Sequence, residues 1–263
     1  MKEQWTNYRD LASSAAVAAA AVARRYQRQR PPAEEKAGYW DLVTEADREA
    51  QVAALQVLRA GAPEIPIVAE EGADAAPESG LWWLVDPIDG TTNFVHGLPY
   101  FCSSVALIAD GAPVAAAVAD PSHRLTYAAA RGAGAHCNRR RLHVDAAADF
   151  PQALLSSRVT PRSPYGDNMR AYSRVSGVAR ATRNLGSAEL ELCHVACGWL
   201  SAFWEMILNP WDYAAGALLV AEAGGIVTDA AGLPLDARRP SAVVASNGRL
   251  HAALLAIIQR EAR

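Results

Sequence analysis

The stretch from Trp82 to Phe94, Trp-Trp-Leu-Val-Asp-Pro-Ile-Asp-Gly-Thr-Thr-Asn-Phe, constrains this chain more than any other part of it. An apolar run rich in Leu, Trp and Val reads as a buried strand, bounded by Pro87 and Gly90. Its C-terminal end delivers Asp86 and Asp89, then a glycine and the hydroxyls of Thr91 and Thr92. Acidic side chains beside a tight glycine turn suit a hard cation such as Mg²⁺, which takes oxygen ligands and keeps part of its coordination for a phosphate. Gly90, Thr91 and Thr92 can open a helix whose free N–H groups point at the same anion. Metal and phosphate would meet at one corner. Taken alone, Asp-Pro and Asp-Gly are also ordinary turn formers after a strand.

Two further segments bear on that choice. Ile65 to Ala69 reads as a brief strand running into Glu70-Glu71-Gly72. Far downstream, Trp211-Asp212-Tyr213 opens a helical pattern that runs to Gly224-Gly225. Singly, Glu70 reads as a surface acid and Asp212 as a residue capping a helix N-terminus. Together with Asp86 and Asp89 they put four carboxylates on element ends in separate parts of the chain, which is how a multi-metal site is assembled.

In these motifs the chain resembles the inositol monophosphatase family of Mg²⁺-dependent, lithium-sensitive phosphatases, and its bacterial inositol-1-monophosphatases in particular. The matching segments are Val68 to Gly72, the Asp86 to Phe94 box, and Trp211 to Gly225. A weaker fourth is Lys36 followed by Asp41-Leu42-Val43-Thr44-Glu45-Ala46-Asp47. Their order, their spacing and the length of 263 residues extend the resemblance over essentially the whole chain.

The resemblance implies a mixed α+β and α/β fold, a layered α-β-α-β-α sandwich of the sugar-phosphatase type, holding two to three Mg²⁺ ions. It implies that Glu70, Asp86 and the Ile88 carbonyl hold the first ion, and that Asp86, Asp89 and Asp212 hold the second. Glu70 would reach a weaker third ion, with Lys36 beside it; a solvent-exposed lysine near Pro31-Pro32 is the ordinary alternative for Lys36. Glu70 and Thr91 would position and deprotonate the attacking water, Asp47 would orient Thr91, and the backbone of Gly90, Thr91 and Thr92 would grip the phosphate. Gly186, Ser187, Ala188 and Glu205 fall where the family contacts the alcohol, and Glu205 has a plain strand-edge acid as its alternative.

The Thr-Thr-Asn-Phe ending is closer to inositol monophosphatases than to the Lys-Glu-Phe of sulfur-pathway nucleotide phosphatases or the Lys-Asn and Lys-Ser of histidinol phosphatases. Two departures border the expected substrate pocket: Ser156-Ser157-Arg158-Val159-Thr160-Pro161, where Thr-Gly-Phe-Pro is usual, and Glu189 just after Gly-Ser-Ala. Inositol-1-phosphate or a similar polyol phosphate is therefore the leading substrate. Histidinol phosphate, fructose-1,6-bisphosphate and a nucleotide stay open, as does a non-catalytic regulatory relative. Against the last, every implied metal carboxylate is present, with Thr91 and Asp47.

Composition excludes rather than assigns. A net charge of −3 gives no footprint for nucleic acid or an anionic membrane, and Arg139-Arg140-Arg141 reads as a solvated turn between strands. Cys102, Cys137, Cys193 and Cys197 form no C-x-x-C pair, and the six histidines form no cluster, which argues against zinc. No C-x5-R loop, D-x-D-x-T or R-H-G pattern occurs, so direct attack by water is the economical reading. Lys2, Glu3 and Asp10 interrupt any signal peptide, and Ala12 to Ala23 is too weakly apolar to span a bilayer, so a reduced cytoplasmic setting is expected. The expected partners are a small-molecule phosphate monoester and, since family members are commonly dimers, a second copy of the chain.

The pattern predicts a long Ala-rich helix over 4–30 and a short hairpin or loop holding Lys36 and Asp41. It predicts a second helix capped by Thr44 and stopped by Gly61. Strands are predicted near 102–109, 113–119 and 125–130, the first two joined by Asp110-Gly111. Alternation follows: strands near 153–156, 181–184, 201–206, 226–228 and 241–245, and helices near 166–179, 187–198 and from Leu250. The change from strand runs to alternation predicts two halves, 1–145 and 146–263, with a seam near 143–151.

Overall fold

Alanine shapes the first helix. In α1 (Lys2–Gln27) the buried residues are Ala12, Ala15, Ala16, Ala19, Ala20 and Ala23, a single stripe at spacings of three and four. The stripe packs against α2 (Glu45–Gly61), whose Ala46, Ala50, Ala54 and Leu58 recur every fourth residue. Side chains this small let two helices lie close together over one sheet. The computed structural model describes residues 2–29, 32–38, 41–72, 75–159 and 168–259. Residue 30, Pro31, Thr160, Pro161 and the expected start of a helix at 166–167 lie outside the described residues.

Between the two helices, β1 (Ala33–Gly38) and β2 (Asp41–Thr44) pair antiparallel. A seven-stranded sheet follows in simple sequential order: β3 (Ile67–Ala69), β4 (Leu81–Asp89), then, after the five-residue helix α3 (Thr91–Val95), β5 (Cys102–Ala109), β6 (Ala112–Asp120), β7 (Leu125–Ala130), β8 (Gly134–Cys137) and β9 (Arg140–Arg141). Only β3 and β4 run parallel. Asp110 and Gly111 both take left-handed backbone (φ 51° and 83°), which is what the tight hairpin predicted there requires.

The second sheet uses β10 (Leu154–Ser157), α4 (Asn168–Ser176), β11 (Ala181–Arg183), α5 (Ala188–Ala196), β12 (Ala202–Leu208), α6 (Ala214–Glu222), β13 (Ile226–Thr228), β14 (Ser241–Ser246) and α7 (His251–Ile258). Its five strands run β11-β10-β12-β14-β13.

Three apolar cores separate the layers. Helices α1 and α2 cover one face of the seven-stranded sheet through Trp83, Val85 and Leu107. Helices α5 and α6 fill the space between the sheets, meeting Trp82, Leu84 and Tyr127 on one side and Phe203 and Val243 on the other. Helices α4 and α7 close the outer face around Trp204 and Leu254. The layering is the α-β-α-β-α sandwich that the motifs implied. Among the described residues no helix is long and apolar enough to cross a membrane.

Two local expectations need correction. Arg139 lies in a turn, but Arg140 and Arg141 pair with Cys137 and His136 and form the exposed edge strand β9. Charged residues suit such an edge, because they discourage pairing with a second sheet. Pro87, read as a bound of the strand, lies inside it: β4 continues to Asp89 with its register against β5 shifted between Asp86 and Asp89. Pro87 has no N–H to pair, so the ladder bulges there. That bulge matters for the site. On a regular strand, residues three apart face opposite sides of the sheet, whereas a bulge re-aims side chains and brings both carboxylates to one place.

Candidate active site

The site is built where β3 and β4 end side by side. Ala69 pairs with Val85, and the Glu70 N–H donates to the Val85 carbonyl at 3.1 Å, so the chain leaves β3 next to Asp86. A clamp from α2 holds this exit: Gln51 Nε2 donates to the Glu71 carbonyl (2.7 Å) and Gln51 Oε1 accepts from the Glu71 N–H (3.0 Å). Lys36 Nζ reaches Glu70 Oε1 at 3.0 Å and also bonds Glu71. Burial pushes the Glu70 carboxyl up to about 7 against the pull of Lys36. Burial alone would lower the Lys36 ammonium, but the charges and hydrogen bonds of Glu70 and Glu71 hold it above its usual value.

Asp86 and Asp89 from β4 meet Asp212 from a second, distant segment, each offering an oxygen within 4.8 Å of the others. Asp212 sits in a short 3-10 turn (Pro210–Asp212) ahead of α6, where its carboxylate accepts from the Asn209 N–H at 2.8 Å. All three carboxyls lie above their ordinary range, chiefly because they are buried. For Asp86 the charges of Glu70, Asp89 and Asp212 add to the effect. Hydrogen bonds from Ser187, Glu189 and Ala188 partly relieve Asp89. Asp86 Oδ1 is buried with no hydrogen-bond partner among the described residues. Like-charged oxygens gathered out of water are costly without a cation. An all-oxygen donor set with an orphaned carboxylate atom fits a hard divalent ion such as Mg²⁺. Glu70 is not part of the threefold group and stays beside it on Lys36.

After Asp89 the chain must turn sharply, and Gly90 does so at φ 89°; a Cβ there would meet the Gly186 carbonyl at 3.1 Å. The turn opens α3, whose first residue, Thr91, is half-buried. Thr91 Oγ1 donates to the Ile88 carbonyl at 3.0 Å. Asp47 completes a capping box on α2, accepting from the Thr44 N–H (2.8 Å) and Thr44 Oγ1 (2.6 Å). Burial raises its carboxyl to about 6, and its Oδ1 has no hydrogen-bond partner among the described residues. The implied contact between Asp47 and Thr91 is not made among the described residues. A carbonyl three residues back takes the Thr91 hydroxyl instead. Thr92 is exposed.

The second sheet contributes through α5. Asp89 accepts from Ser187 Oγ (2.6 Å) and from the N–H groups of Ala188 (3.3 Å) and Glu189 (2.8 Å), so it caps that helix from another sheet. Ser187 is buried and its hydroxyl is spent on Asp89. The Gly186 carbonyl accepts from Asn93, whose side chain also bonds the Leu185 and Tyr100 carbonyls and so ties α3 to the loop before α5. Glu205 lies on the inner face of β12, alternating with Trp204 and Met206 on the outer core. It is buried and its carboxyl is raised, mainly by that burial. Arg158 Nε stands 3.9 Å from it.

Three residues carry parts of this geometry without a role in the sequence reading. Gln51 and Asn93 leave no sequence signal that separates them from surface amides. Glu189 stands out only as a departure; in the structure it is fully buried and bonded to the start of α6.

The model of the inositol monophosphatase family matches residues 4–263. An inositol-1-monophosphatase of Rhizobium meliloti (strain 1021) is 41% identical over 226 residues, covering 84% of each chain. The Nus factor SuhB of Pseudomonas aeruginosa is 39% identical over 226 residues, covering 83% of each. Among solved structures, the Thermotoga maritima IMPase superposes with a TM-score of 0.86 at 33% identity, over 95% of both chains.

Proposed function

The chain belongs to the inositol monophosphatase family, and on that footing we propose that it is a Mg²⁺-dependent phosphomonoesterase acting on inositol-1-phosphate or a similar polyol phosphate through direct attack by water. One observation carries this reading: the convergence of Asp86, Asp89 and Asp212 around the unpartnered Asp86 Oδ1. Bound Mg²⁺ would neutralise the phosphoryl oxygens and lower the pKa of water. Asp86, Asp89, Asp212 and Glu70, with the Ile88 carbonyl, are the groups that would hold two to three such ions. Lys36 would offset the charge of Glu70 and Glu71, which it already bonds.

Glu70 is the group proposed to take the proton of the attacking water. Its N–H is tied to Val85 beside Asp86 and its carboxylate is held by Lys36, which places an acceptor next to the ions that would bind that water. Thr91 would orient that water, and Asp47, with one unpartnered oxygen, is proposed to support Thr91 once its hydroxyl leaves Ile88. The backbone of Gly90, Thr91 and Thr92 is proposed to hold the phosphate, which costs the enzyme no reorganisation. Gly186, Ser187 and Ala188 would frame the alcohol. Glu205 would accept its hydroxyl hydrogen bonds, rewarding substrates that offer them. A cytoplasmic homodimer is the assembly and setting that family resemblance favours.

The name of the Pseudomonas relative favours a second reading, a regulatory protein on the same fold. Histidinol phosphate, fructose-1,6-bisphosphate and nucleotides are the competing substrates. Phosphate release from all four classes, with Mg²⁺ and then with excess chelator, separates these readings. The expected result is fastest turnover of inositol-1-phosphate, dependent on Mg²⁺ at the millimolar scale. Full turnover in chelator would refute the mechanism; no release from any substrate would favour the regulator.

A further inference from the structure

Helices α5 and α6 both begin without a cap of their own. Ser187 and Tyr213 occupy their N-cap positions, and neither side chain bonds the helix that follows. Carboxylates from elsewhere take the free N–H groups. Asp89 serves α5 through Ala188 and Glu189. Glu189 in turn serves α6: Oε1 accepts from the Ala215 N–H at 3.1 Å and Oε2 from the Gly216 N–H at 2.6 Å. Asp212 stands immediately before α6 in the turn bonded to Asn209. A continuous set of contacts thus runs from Asp89 through α5, Glu189 and α6 to Asp212. Its two ends are members of the carboxylate cluster.

The middle contact is built closely. A Cβ on Gly216 would meet Leu192 Cβ at 2.4 Å and Glu189 Oε2 at 2.7 Å. A fully buried carboxylate is tolerated only with strong hydrogen bonds, and two N–H groups at a helix N-terminus supply them. We propose that Glu189 is a positioning residue for the metal centre: by capping α6 from α5, it fixes Asp212 relative to Asp89. The inference rests on the metal reading of that cluster.

The test is Mn²⁺ binding to the full-length apoprotein, followed by titration calorimetry. Four variants are compared with the wild type: Glu189→Ala, Glu189→Gln, Gly216→Ala and Asp212→Asn. Loss of a residue that supports a metal ligand weakens binding by about 10- to 100-fold. Glu189→Ala should fall in that range, and Glu189→Gln, keeping one acceptor oxygen, should fall between it and the wild type. Gly216→Ala displaces the same contact without removing charge and should also weaken Mn²⁺. Turnover of Glu189→Ala should recover at saturating Mg²⁺. Unchanged Mn²⁺ affinity in the Glu189 variants, with Asp212→Asn weakened, makes Glu189 plain scaffold and overturns the proposal. So does an effect of Glu189→Ala that Gly216→Ala does not share, since charge and not position would then be its cause. Affinity unchanged even in Asp212→Asn overturns the metal reading itself. If Glu189→Ala does not fold, Glu189→Gln and Gly216→Ala decide the question by the same measurement.

Discussion

At the scale of single residues, Glu70 differs from the three clustered aspartates: besides helping to hold a cation, it would take the proton of the attacking water. Asp212 shares its task with Asp86 and Asp89, so Asp212→Asn should chiefly raise the Mg²⁺ concentration needed for half-maximal rate. Glu70 is alone in its proposed role. Glu70→Gln should lower kcat by ~100-fold or more at any Mg²⁺ concentration, the scale for a lost general base. Steady-state kinetics across a Mg²⁺ series checks both, and equal, mild losses would mean that the water is misplaced. A different residue sets a pH dependence of stability. His194 is packed between the rings of Tyr100 and Trp199, at 5.6 and 4.9 Å, and burial lowers its pKa from 6.5 to about 4. The unfolded chain therefore takes up a proton there that the folded chain refuses. The contribution is fully present above pH 6.5 and is lost as pH falls toward about 4. Its size is up to about 3 kcal/mol. The buried acids of the site titrate in the opposite sense, so the measurement is a difference. Stability of the wild type minus that of His194→Phe should be flat above neutrality and fall on acidification; a flat difference throughout would show that the imidazole is protonated in the fold.

At the scale of elements, helices and strands were largely legible because their signals are local. The alanine stripe of α1, the Thr44 capping box and the Asp110-Gly111 turn each lie within a few residues of one another. So was the grouping of Asp86, Asp89 and Asp212, since their motifs are short and sit at element ends. What stayed hidden depends on contacts far apart in sequence. The bulge at Pro87 is defined by its partner strand. Glu189 reads as a pocket departure until α6 is placed against it, and two of the three partners of Asn93, Leu185 and Gly186, lie more than ninety residues away. Gly216 shows the same point with a sign attached. By helix propensity alone, Gly→Ala in α6 should stabilise by about 1 kcal/mol. The close approach of Leu192 and Glu189 reverses that. Gly216→Ala should instead destabilise by about 1–3 kcal/mol, the range for overpacking a core, and a raised melting temperature would contradict the packing described for α5 and α6.

At the scale of the whole molecule, the seven-stranded sheet ends at Arg141 and the five-stranded sheet begins at Leu154. We propose 1–145 and 146–263 as the two halves of the chain, but as halves that share a core. Helices α5 and α6 belong to the second by sequence, yet Leu190, Leu192 and Leu219 pack in one cluster with Trp82, Leu84 and Tyr127 of the first. The clustered carboxylates divide the same way, with Asp86 and Asp89 on one side and Asp212 on the other. Residues 1–145 expressed alone would therefore expose the inner face of a sheet that carries fully buried Trp82, Ile108 and Tyr127. Each large apolar side chain returned to water costs about 1.5–3 kcal/mol, so a few such exposures exceed the 5–15 kcal/mol by which a typical domain is stable. The isolated segment should show no cooperative thermal transition and should bind a hydrophobic dye. Mixing it with residues 146–263 during refolding should restore a single transition and, with Mg²⁺, phosphatase activity, because the carboxylate cluster exists only across the junction. A sharp two-state melt of 1–145 alone would mean that the sheet is stable with only α1 and α2 upon it, and that the middle helical layer serves to place Asp212 rather than to complete the core.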